Sequence, residues 1–177
     1  MQPALLRLNY IALALLFAGS VLAWPALPGR IPIHFGLSGA PDVWVARTWL
    51  SWLLLPLLAA GVFALVYGIG VRSARRPHLW NLPEKARFLK MSAAEQAPII
   101  ALLLRYLSGV TLTMISFLGL TQLCIFLVAT GYTHRLPWFF SAGLVLTMGG
   151  IVISALRLRG RIRERVLSTS RSPGTMR

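Results

Sequence analysis

Residues 49–70 read WLSWLLLPLLAAGVFALVYGIG, without a single charge. At about 1.5 Å of rise per helical residue, this run is long enough to cross a bilayer core of about 30 Å. Backbone amides in lipid must find partners within their own segment, so the run is expected to be helical. Pro56 lies inside it and predicts a kink, which membrane helices tolerate. Working outward, three more runs have the same character: Leu5 to Trp24, broken only by Arg7, Asn9 and small polar residues, then Leu107 to Ala129, then Trp138 to Leu156. None contains an acidic residue. The expected fold is therefore an all-α membrane protein with four transmembrane helices.

Composition agrees. Of 177 residues, 56% are hydrophobic and 12% charged, against about 45–50% and about 25% in soluble domains. The 18 Lys and Arg against 4 Asp and Glu would suggest nucleic acid in a soluble chain. Here they lie between and after the apolar runs, which is the pattern that sets membrane orientation, and no nucleic-acid partner is expected. Only Arg30, Arg47 and Arg135 fall on one side; the others belong to the N-terminus, the segment 71–98, Arg105 and the tail. The richer side is cytoplasmic by the positive-inside rule, giving N-in/C-in. Val21-Leu22-Ala23 offers a rival reading as a signal-peptidase site, which would leave three spans; a poor n-region and Pro25 argue against it. Trp24, Trp44, Trp49, Trp52 and Trp138 fall near the predicted outer interface, as an aromatic belt would. Cys124 is the only cysteine, so no internal disulfide forms.

The chain divides into 1–105, with two spans, an outer loop 25–48 and a cytoplasmic segment 71–98; 106–157, with the last two spans; and a basic tail 158–177. The outer loop is dense in Pro and Gly and is expected to be short and ordered, with an edge strand over Arg30 to Phe35 and a turn over Ser38 to Asp42. In the cytoplasmic segment, Asn81 to Glu84 reads as a turn or helix start. Ser92-Ala93-Ala94-Glu95 is a capping box, starting a helix near Ala93 that is expected to lie along the membrane before the third span, with Pro98 a candidate kink. Arginine at every second position from Arg157 to Arg165 does not make one helical face. That tail is expected to anchor topology and bind anionic lipid. Residues 168–177 have the composition of a disordered tail.

Little here suggests catalysis. There is no His-Glu-x-x-His and no carboxylate in any span, so the chain is expected not to be an enzyme. In the third span Thr111, Thr113, Ser116, Thr121 and Gln122 are read first as interhelical glue; as the lining of a path they would suit a small oligomeric transporter or channel. Ala60, Ala64 and Gly68 form a small-residue stripe suited to helix packing. His34, Asp42 and His134 share the outer side, but their spacing is not that of a metal site, so no metal and no cofactor is assigned. Hydrogen bonding that shapes the loop is the simpler role for His34 and Asp42.

Leu27-Pro28-Gly29-Arg30-Ile31-Pro32-Ile33-His34-Phe35, followed by Gly39-Ala40-Pro41-Asp42-Val43-Trp44, resembles the signature of the bacterial domain of unknown function 1648, the N-terminal domain of SdpI-type immunity proteins. Asn81-Leu82-Pro83-Glu84-Lys85 resembles a stretch that such proteins place after the second span. Gly36 stands where that family usually has Asn or Asp, and Val43 where glycine often follows the aspartate. The resemblance implies the membrane architecture over about Leu5 to Leu104. It also implies protection against, or sensing of, a toxic peptide, relayed to a cytoplasmic regulator. The expected function is thus non-enzymatic: sensing, immunity or an accessory role. Arg30, His34, Phe35, Asp42 and Trp44 are the ligand-binding candidates, and Asn81, Leu82, Pro83 and Lys85 the partner-contact candidates. Expected partners are the lipid bilayer, a peptide outside, a protein inside, and a second copy of the chain.

Overall fold

Each apolar run becomes a helix in a computed structural model, which describes residues 3–169. Helix α1 spans Pro3–Ala23. A 3₁₀ turn, Trp24–Ala26, leads into strands β1 (Arg30–Phe35) and β2 (Pro41–Ala46). Helix α2 is Trp49–Ala74. After a 3₁₀ turn, Pro77–Leu79, come the one-turn helix α3, Lys85–Phe88, then α4, Ala93–Ala129, and α5, Trp138–Thr169. Helices α1, α2, α4 and α5 are long and apolar enough to cross a membrane, and the chain is a multi-pass membrane protein. Large apolar side chains face outward, among them Leu22 (81% exposed), Leu50 (71%) and Leu146 (75%). Such a surface suits lipid, not water.

Helix α4 is the hub, touching α1, α2, α5 and β1. Three apolar clusters line up along the molecule. Leu27, Ile31 and Trp52 gather at one end, Leu16, Ala59, Phe63 and Ile115 in the middle, and Leu82, Phe88, Ile99, Leu103, Ile162 and Val166 at the other end. Lipid tails are as apolar as leucine, so helix association there rests on close packing and on interhelical hydrogen bonds. Two such bonds matter. Asn9, fully buried, donates from Nδ2 to the Leu5 carbonyl of its own helix and to the Ser108 carbonyl of α4. Gln122 of α4 donates from Nε2 to the Trp52 carbonyl of α2 at 2.9 Å. Trp52 is the residue four before Pro56, whose missing N–H would otherwise have closed the helical bond to that carbonyl. The glutamine supplies the donor that the proline removed. Thr111, Thr113 and Thr121 instead bond to carbonyls four residues earlier in their own helix.

The structure departs from the sequence reading in several places. The outer loop is a two-stranded antiparallel hairpin, not one strand and a turn, because Pro41 and Asp42 open β2. The helix beginning at Ala93 does not lie apart from the third span; it runs on without interruption through Pro98 to Ala129. Its 37 residues measure about 55 Å, so its first turns extend past a bilayer core of about 30 Å. Likewise α5 continues from the apolar run through the arginines to Thr169; the rest of the predicted tail, residues 170–177, lies outside the described residues. The Ala60, Ala64 and Gly68 stripe is not where α2 packs: Ala64 and Gly68 are exposed, and close approach occurs at Ala59 and Gly70 instead. A Cβ on Gly70 would stand 3.2 Å from Leu104 Cδ2. Trp52, finally, is 2% exposed and donates its indole N–H to the Ser20 carbonyl, so it belongs to the core rather than to an interfacial belt.

The loops sort by charge. The Leu136 amide donates to the Gly39 carbonyl at 2.8 Å, so the segment after α4 sits on the hairpin. The arginine-rich segment after α2 and the end of α5 meet at the opposite end, through Leu82, Phe88, Ile162 and Val166.

Candidate functional site

A two-stranded hairpin is marginal alone in water. This one is anchored through its first strand. Ile31 and Leu27 pack with Trp52, and with Ile125, Phe126 and Ala129 of α4. Arg47 closes its base: its amide donates to the Gly29 carbonyl, while Nη1 donates to the Leu27 and Trp24 carbonyls at 2.6 and 3.3 Å. The same guanidinium lies 4.9 Å over the Trp24 ring, which stacks on Trp49 at 3.9 Å. Thr48 and Ser51 then cap α2 reciprocally. The sequence reading overlooked Arg47; its signal was an arginine immediately before a helix cap, within reach of two tryptophans. At the tip Gly39 adopts φ +76°, which favours glycine, and is locked by the Leu136 amide.

On this scaffold the candidate residues separate. Pairing runs Arg30↔Ala46, Ile31↔Val45 and Pro32↔Trp44, slips at His34↔Val43, and returns at Phe35↔Pro41. Bulges of this kind re-aim side chains. His34 Nδ1 lies 2.6 Å from Asp42 Oδ1 with both side chains exposed, at 65% and 50%. A carboxylate oxygen only accepts, so Nδ1 is the protonated nitrogen in this pair. Nε2 has no partner among the described residues. Arg30 Nη2 donates to the Trp44 carbonyl at 3.1 Å, holding the guanidinium across the strands. Phe35 and Trp44 are half-buried. Gly36 accepts from the Gly39 amide and donates to the Ala40 carbonyl, and a Cβ there would lie 3.5 Å from Asp42 Oδ2. The Asn or Asp usual in the resembled signature would therefore sit beside this carboxylate.

The structure does not bring His134 to the pair as a third ligand: among the described residues no three His, Cys, Asp or Glu gather as a metal site. An exposed pair of this kind contributes about 0–1 kcal/mol, so the fold does not depend on His34 and Asp42. What they offer is a fixed hydrogen-bonding surface.

The second candidate group is divided. Leu82 is buried in the core and leaves almost no surface for a partner, which corrects its assignment as a contact residue. Asn81 is exposed, and Pro83 and Lys85 are half-buried. Glu84 adopts a left-handed φ of 55°. Its carboxylate receives Arg87 at 3.8 Å and Arg163 of α5 at 3.9 Å, tying the motif to the last helix.

Residues 11–60 match the family described as a domain of unknown function (DUF1648). The match takes in most of α1, the whole hairpin and the start of α2. A protein of Archaeoglobus fulgidus, described as uncharacterized, is 38% identical over 84 residues, 45% of this chain and 45% of that protein. The chain thus spans about half the length of the curated relative it matches. No solved structure matches it.

Proposed function

We propose, with residues 11–60 as a DUF1648 domain for premise, that this chain is a non-enzymatic sensing or immunity protein of a bacterial inner membrane. It holds both termini in the cytoplasm and presents the hairpin outside. The hairpin meets a peptide through Arg30, His34 and Asp42, with Phe35 and Trp44 beneath them. Asn81, Pro83 and Lys85 meet a cytoplasmic protein. One observation carries the reading. An anchored hairpin displays a His–Asp pair at 2.6 Å, with both side chains exposed, where neither stability nor packing requires it. Of the 4 acidic residues in the chain, Asp42 alone lies in the hairpin segment. The transport alternative would rest on Gln122, whose amide is engaged by the Trp52 carbonyl.

The test is complementation. A deletion strain that expresses the H34A/D42A variant at wild-type level is expected to keep the deletion phenotype, since removing an exposed pair costs the fold about 0–1 kcal/mol at most. Full rescue by that variant would overturn the proposal.

A further inference from the structure

A groove of about 600 Å³ runs between α4 and α5 towards the arginine-rich end. Arg105 of α4 and Arg157 and Arg161 of α5 line one part of it, and Val110, Leu146 and Ile151 are among its apolar walls. Arg157 and Arg161 are four residues apart on one continuous helix, and so share a face. Arg105 stands two residues before the third apolar run, and Arg157 one residue after the fourth. That is the depth at which long basic side chains reach the headgroup layer.

Among the described residues the three guanidiniums have no carboxylate within ion-pair distance. No acidic residue lines the groove, and among the described residues none of the three forms an ion pair; the carboxylate of Glu84 is taken by Arg87 and Arg163. A neighbouring cavity of about 690 Å³ shares Arg105 and adds Arg75 and Arg165, again without an acid. Like charges brought together repel unless an anion joins them, and guanidinium donors match phosphate oxygens bidentately. An apolar trough leading away from the cluster has no use to a free anion but fits an acyl chain.

We propose that this groove is a specific site for one anionic phospholipid. Its phosphate is held by Arg105, Arg157 and Arg161, and an acyl chain lies against Val110, Leu146 and Ile151. Basic pockets between transmembrane helices recognise lipid headgroups in this way. The bound lipid joins α5 to the bundle at the level where Tyr106 of α4 already donates to the Ile151 carbonyl.

The test uses the full chain in phosphatidylcholine vesicles with and without phosphatidylglycerol. It reads retained lipid by native mass spectrometry and the thermal unfolding midpoint. Wild type is expected to retain one phosphatidylglycerol and to unfold at a higher temperature in its presence. R105Q/R157Q/R161Q is expected to lose retention by roughly 100-fold, the size set by removing three arginine–anion contacts. R72Q/R76Q/R159Q removes the same charge outside the groove and is expected to behave as wild type. Should the first variant fail to fold, Gly150→Leu keeps every arginine. A Cβ there meets nothing within 4 Å, so the leucine fills the trough and is expected to abolish retention. Equal loss in the two arginine variants, retention undiminished in R105Q/R157Q/R161Q or in Gly150→Leu, or an equal midpoint shift from inorganic phosphate in phosphatidylcholine vesicles would overturn the assignment.

Discussion

Pro56 and Gln122 explain each other. The proline frees the Trp52 carbonyl inside α2, and the glutamine, seventy residues away on α4, donates to it. Deleting the donor leaves a buried carbonyl unpaired, at a cost of about 1–3 kcal/mol in general and towards the lower figure within membranes. Gln122→Leu is therefore expected to destabilise the protein by about 1 kcal/mol in detergent unfolding. The sharper expectation is coupling: in a Pro56→Ala background, where the helix supplies its own N–H, the same substitution should cost distinctly less. Equal cost in the two backgrounds would show that the glutamine acts by packing alone. The sequence singled out both residues but left Gln122 between glue and transport path. Its partner is a backbone atom distant in the chain, and no spacing rule reaches that far.

At the scale of elements, the Ser92–Glu95 capping box was legible because its chemistry is local. The structure forms both halves of it: the Ser92 amide donates to Glu95 Oε2 at 2.8 Å, and the Glu95 amide to Ser92 Oγ at 3.4 Å. What the cap begins was not legible, because a capped polar start and an apolar span read as two objects. The cap in fact opens a single 37-residue helix. Gln96 in its first turn ties it back to the Phe88 and Met91 carbonyls. Ser92→Ala should cost that turn about 1 kcal/mol, speeding hydrogen exchange of the Glu95 and Gln96 amides about fivefold while leaving amides beyond Leu107 unchanged. Acceleration along the whole of α4 would contradict a local cap. The second strand of the hairpin was missed for a related reason. Pro41 and Asp42 carry turn chemistry, and only docking of Ile31 and Leu27 on α4 makes strand pairing worth its entropy.

Across the whole molecule, the charge-poor loops share one end and the arginine-rich segments the other, as the distribution of basic residues requires for a protein oriented in a membrane. Single cysteines placed between Ala74 and Lys90 are expected to be labelled by an impermeant thiol reagent only after the cytoplasmic side is exposed, and one at Leu37 from outside. The reverse pattern would invert the orientation and move the hairpin away from any secreted ligand.

Sequence by itself determined the four helices, because hydrocarbon admits only segments that satisfy their own amides and about 20 apolar residues declare that locally. It also determined the charge sorting, the Ser92–Glu95 cap and the hairpin residues matched to the domain. Tertiary structure alone decided that His34 and Asp42 stand together while Leu82 is consumed by the core. It alone decided, too, that Gln122 repairs the bond broken at Pro56, and that Arg105, Arg157 and Arg161 line one groove. These are pairings between residues far apart in the chain, and their partners are fixed by helix packing rather than by any period written along one segment.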